Sequence, residues 1–155
     1  MIKNDISGEQ YKEALLKMID ICTELIIAFP KTFGGSDNQD FALSIGADHK
    51  KYLENPTIRK TKANLRYIEE MNLAYFQEGH GEVVELFWQK VKKQNLPFQR
   101  VNKMAKILKR GRIKDEYEYD FVTDVIVPYI QEGMITAEEE IKLKEMLGKF
   151  EMKQR

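Results

Sequence analysis

Residues 7–29 read SGEQYKEALLKMIDICTELIIAF, and the spacing inside that stretch decides the fold class. Tyr11, Ala14, Leu15, Met18, Ile19, Cys22, Leu25, Ile26 and Phe29 recur at steps of three and four. That spacing winds into one apolar stripe along about five turns of helix. Ser7 followed by Gln10 has the form of a capping box, which satisfies orphan amides at a helix start. Pro30 cannot continue a helix, so the stripe ends there. Cys22 lies on the stripe and reads as a small buried hydrophobe rather than a reactive thiol.

The same reading extends in both directions. Phe29 to Asn38 carries Pro30, Gly34, Gly35 and Ser36 and reads as a loop, with Phe29 or Phe33 tucked inward. A second helix is expected from about Asp40 to Glu54, ended by Asn55-Pro56. A third is expected from Thr57 to Gln77, ended by Gly79-His80-Gly81, and a fourth from Glu82 to Gln94. A fifth is expected from Phe98 to Arg110, with Gly111 as its C-cap. A sixth begins near Lys114, with Asp115, Glu116 and Glu118 in its first turn, where negative charge suits the helix dipole. Pro128 is placed to kink it, and Gly133 closes it. Thr136 with Glu139 forms a second capping box, opening a last helix with Leu143, Leu147 and Phe150 inward. Glu151 to Arg155 is expected to fray. No segment alternates long enough to argue a strand. The expectation is an all-α, single-domain irregular bundle of six to seven helices, mostly antiparallel neighbours, spanning 1–155.

Composition supports a folded chain. The hydrophobic share is 43%, the charged share 32%, and sixteen residues are aromatic, which is too apolar for a disordered segment. The single cysteine cannot form an internal disulfide, which suits a reducing compartment. The start, Met1 to Ser7, lacks the basic-then-apolar order of a signal peptide, and no apolar run approaches membrane-spanning length. Cytoplasmic residence without membrane contact is the expectation.

The formal net charge is zero, but the charges are segregated. From Leu86 to Lys114 there are ten basic residues and no acidic one, while the flanking blocks carry net charges of −4 and −6. On a helical wheel for the expected fifth helix, Arg100, Lys103, Lys106 and Arg110 share one side. Phe98, Val101, Met104, Ala105 and Leu108 share the other. With Lys109 and Arg112, the basic residues make a candidate binding face. Such a row could neutralise phosphates. Equally, a turn at Gly111 could fold the acidic sixth helix back beside the fifth, so that the charges screen each other.

Other chemistry finds little footing. His80, between Glu78 and Glu82, is the one weak candidate for a metal site, because two carboxylates and an imidazole surround a glycine-rich turn. A catalytic zinc site wants ligands paired at helical spacing, and no such pair exists here. Ser7, Ser36 and Ser44 lie outside any nucleophile elbow. Lys31-Thr32-Phe33-Gly34-Gly35-Ser36 has the residue types of a phosphate loop in the wrong order. No catalytic residue and no cofactor is read from the chain.

Gly133-Met134-Ile135-Thr136 followed by Glu138-Glu139-Glu140 resembles a short C-terminal helical element of many bacterial proteins, in which a Gly-apolar-Ile-Thr turn precedes a helix opening with Glu-Glu. Capping chemistry alone produces the same pattern. The resemblance covers about twenty residues, implies a helper or oligomerisation role and brings no catalytic residues. The functional expectation is a small helical protein acting by noncovalent protein–protein binding, as a regulator, adaptor or inhibitor- or immunity-like partner. The alternative is nucleic-acid or other polyanion binding through residues 90–114. A second copy of the chain is left open as a partner.

Overall fold

The computed structural model describes residues 6–33 and 36–154, with only the backbone of Ser36 and Asp37. The chain is all-helical, and among the described residues there is no strand. Among the described residues seven helices follow in order: α1 Gly8–Ala28, α2 Ser36–Glu54, α3 Lys62–Glu78, α4 Glu82–Lys93, α5 Met104–Arg110, α6 Glu116–Gln131 and α7 Ala137–Lys153. They gather into two compact units. The first takes the chain up to Gln77 together with Gly81–Arg100, and the second takes Glu78–His80 and the chain from Val101 onward.

In the first unit α1 is the central helix and packs against both α2 and α4. Both expected capping bonds form: the Gln10 amide donates to Ser7 Oγ at 3.2 Å, and the Ser7 amide donates to Gln10 Oε1 at 2.9 Å. The stripe is buried from Ala14 to Ile26. Ile21, off the stripe, is buried as well, because neighbours on two sides widen the covered arc. From α3 and α4 come Phe76 and Phe87, stacked with centroids 4.0 Å apart. Trp88 packs on Phe87, and its indole N–H donates to the Phe76 carbonyl at 2.9 Å. The half-buried indole nitrogen is thereby satisfied. Phe29 and Phe33 both pack against this core.

The second unit closes around Met104, Ile107, Val122, Val125, Ile126, Tyr129 and Leu143, with α7 packed on both α6 and α5. Asp115 accepts from the Glu118 amide at 2.9 Å and is the N-cap of α6, one position outside the helix where the sequence reading puts it. Thr136 and Glu139 form the second capping box, at 3.1 and 2.9 Å. Gly111 (φ 81°) and Gly133 (φ 71°) hold the left-handed conformation that ends α5 and follows α6, where a Cβ would be strained. α7 runs on through Lys153, past Glu151 where fraying is expected; Arg155 lies outside the described residues.

Three helix boundaries depart from expectation. α2 starts at Ser36, not Asp40. α3 starts at Lys62 rather than Thr57, because Asn55 folds back to accept from Thr57 at 3.0 Å and Thr61 caps the Asn64 amide at 3.1 Å. The largest departure is α5, which has only seven residues. Phe98 is drawn into the first core, and Asn102 makes an Asx turn, accepting from the Met104 amide at 3.0 Å while donating to the Met134 carbonyl at 2.7 Å. A side chain that offers the backbone a local partner starts the helix there.

Candidate functional site

Because α5 begins at Met104, the expected helical wheel over 98–110 does not exist, and the basic residues sort by their own surroundings. Arg100 precedes the helix and is half-buried in the first unit. Lys103 reaches Glu78 at 2.8 Å, and Tyr117 donates to the same carboxylate oxygen at 3.0 Å. Arg110 forks onto Glu118, with contacts of 2.6 and 3.0 Å. The Lys114 amide adds a third donor to Glu118 at 3.0 Å. In the first unit Lys90 pairs with Glu24 at 3.0 Å. Lys106, Lys109, Arg112 and Lys114 are exposed, and among the described residues no ion pair involves their side chains. On the α5 side, screening by the acidic sixth helix therefore reaches Arg110 through Glu118.

The carboxylates respond to these partners. The Arg110 fork, opposed by burial and aided by the Lys114 amide, holds the Glu118 carboxyl below its ordinary range. Burial alone would raise Glu78; bonds from Lys103 and Tyr117 outweigh it and hold Glu78 below its ordinary range too. Such bidentate, charge-assisted bonds fix geometry more firmly than single ones. Lys103 and Arg110 thus serve the architecture of the second unit, whose other basic side chains in this stretch, Lys106, Lys109, Arg112 and Lys114, are exposed.

Glu78, one of the two carboxylates in the His80 metal candidate, is committed to Lys103 and Tyr117. His80 and Glu82 are exposed. Among the described residues no three His, Cys, Asp or Glu side chains are grouped to hold a metal ion. Cys22 is buried, and that burial pushes its thiol up to about 12, opposite to the activation a nucleophile needs. Ser44 Oγ donates to the Phe41 carbonyl at 2.7 Å, and Ser7 is a cap. The side chain of Ser36, and Gly34 and Gly35 of the glycine-rich loop, lie outside the described residues. No helix among the described residues is long and apolar enough to cross a membrane.

By spacing, Tyr67, Ile68, Met71, Ala74 and Tyr75 share one side of α3, and the structure divides that side: Ile68 is buried, while the three large residues Tyr67, Met71 and Tyr75 are not. Tyr67 is 56% exposed, Met71 43% and Tyr75 36%, four residues apart along one face. The α3 core is carried instead by Leu65, Ile68, Leu73 and Phe76. Tyr75 rests on Phe33, centroids 5.0 Å apart, and Tyr67 on His49 at 6.3 Å, so both rings are propped outward on packed neighbours. Both faces of α3 are apolar, and spacing alone cannot say which one the core takes. Phe41 on α2 is exposed as well, at 68%.

No family model matches this chain, and neither a curated protein nor a solved structure matches it.

Proposed function

We propose that this protein acts by noncovalent protein–protein binding and that the exposed face of α3 is its contact surface. The observation that carries this reading is the run Tyr67, Met71 and Tyr75, three large side chains held in solvent on one helix. Tyrosine and methionine are enriched in protein interfaces, where they give large contact area at small entropic cost. Isolated exposed apolar residues are commonplace, but an aligned row on a helix suits the helix-face mode of recognition. The test compares the full chain with a Tyr67→Ser, Met71→Ser, Tyr75→Ser variant that melts as the wild type does. Affinity purification from the native host should recover a stoichiometric partner with the wild type and lose it with the variant. Equal recovery from both would reject α3 as the surface. Sedimentation of the two proteins identifies the partner as a second copy if the variant alone is smaller.

The exposed cations of the second unit support a second reading, polyanion binding. Lys106, Lys109, Arg112 and Lys114 crowd a short helix end and the turn that follows. Four phosphate contacts would give a log–log salt slope of roughly −3 to −4. Reversal of Lys106, Lys109 and Arg112 to Glu should abolish retention on a polyanion column and spare the fold, because none of the three is in a structural ion pair. A wild type that flows through at low salt ends this reading.

A further inference from the structure

His49 on α2 and Asn72 on α3 meet with His49 Nδ1 2.9 Å from Asn72 Nδ2. An amide nitrogen can only donate, so Nδ1 must be the bare, accepting nitrogen of a neutral imidazole. The orientation of the Asn72 amide is set independently, since Nδ2 also donates to the Ile68 carbonyl at 2.8 Å. Turning the amide over would set its oxygen against that carbonyl oxygen. Asn72 is gripped from α1 as well, where the Cys22 thiol lies 3.9 Å from its backbone carbonyl. A proton on Nδ1 would face a donor that cannot reverse without losing its other bond.

We propose that His49 and Asn72 form a pH-sensitive latch: with His49 neutral they tie α2 to α3, and protonation of His49 breaks the tie and loosens that part of α2.

The surroundings favour the neutral form. The groups that face the imidazole are Asp48 beside it on α2, Tyr67 and Asn72 on α3 and, through Asn72, the protonated Cys22 thiol of α1. Lys50, one residue on, is occupied by Asp20 of α1 at 2.8 Å. Burial disfavours the imidazolium and outweighs the Asp48 carboxylate, which holds His49 below its ordinary value. The Tyr67 ring, 6.3 Å away, stands at the outer limit of cation–π reach. A folded-state value below the unfolded one means that stability is complete above about pH 6.5 and declines as pH falls from there through the lowered value. This device is separate from the docking surface proposed above and stands whether or not that surface binds.

The experiment is an NMR titration of the uniformly nitrogen-labelled full chain from pH 8 to pH 5, the His80→Gln variant assigning the two imidazoles. The expected result is a His49 midpoint below 6.5, with the neutral form carrying its proton on Nε2. The Asn72 side-chain amide and the α2 backbone amides near His49 should move with the same midpoint, and α2 hydrogen exchange should quicken below it. Asn72→Asp, which turns the partner into an acceptor, should move the midpoint upward by about one pH unit. His49→Gln should remove the α2 response altogether. A His49 midpoint at or above 6.5 with flat Asn72 signals overturns the proposal, as does a His49→Gln protein that keeps the pH response. The wild-type titration decides the matter even where a variant fails to fold.

Discussion

Each unit has a core of its own, and the two cores differ in size and in what surrounds them. Among the described residues the first core gathers eighteen buried side chains and the second ten. The first is organised by one long helix and by stacked aromatics, with Phe76, Phe87 and Trp88 in sequence of contact. The second is smaller, and its ion pairs, Arg110 on Glu118 and Lys103 with Tyr117 on Glu78, are less exposed than Lys50–Asp20 and Lys90–Glu24 of the first. A small core buries less apolar surface, so directional bonds carry a larger share of its order. The basic block of the sequence is in part a structural device of that kind, since Lys103 and Arg110 are paired with carboxylates of the second unit.

The sharpest way to break this comparison is to remove one core side chain from each unit. Phe87→Ala should cost about 3–5 kcal/mol and Leu143→Ala about 2–5 kcal/mol, the former more because it also ends the Phe76 stack. Trp88, the one tryptophan of the chain, reports the first loss by fluorescence in urea. Amide exchange along α5 to α7 reports the second. A larger loss at Leu143 would reverse the ranking of the two cores.

Acid should tell the two units apart next, by acting on the second. Glu118 and Glu78 are held below the ordinary carboxylate range. The stability they supply is complete above about pH 4.5 and is lost as pH falls through their lowered values. Amides of α6 should therefore lose protection as pH falls below about 4.5, and Glu118→Gln should flatten that dependence while weakening the unit at pH 7. An unchanged pH profile in Glu118→Gln would remove the charge anchor from the account.

Smaller effects sharpen the contrast by locating what the units share. Both have a helix opened by a capping box, and Ser7→Ala and Thr136→Ala should each cost about 1 kcal/mol in thermal melting. Unequal costs would mean that helix ends, and not only cores, differ between the units. At Gly46 an added Cβ would stand 3.5 Å from Ile19, an ordinary contact, and at Gly148 it meets nothing within 4 Å. Gly46→Ala and Gly148→Ala should each stabilise the protein by roughly 0.5–1 kcal/mol. A loss at Gly46 alone would show that α1 and α2 tolerate no addition between them.

How much of this was legible in the chain follows from the range of the forces. Sequence by itself determined the helical class, the course of α1, both capping boxes, the glycine stops and the segregated charge. Those features come from bonds and spacings within about four residues, which a linear reading sees directly. Local polar chemistry was harder: Asn102, Thr61 and Asn55 set helix starts that hydrophobic spacing alone misplaces. Only the tertiary structure decided that the apolar residues form two cores, and that α3 buries Ile68 while showing Tyr67 and Tyr75 to solvent. It alone also decided which cations are spent on Glu78 and Glu118, and that His49 meets Asn72. These pairings join residues that are distant in the chain or depend on which of two apolar faces the core takes, and packing settles that choice.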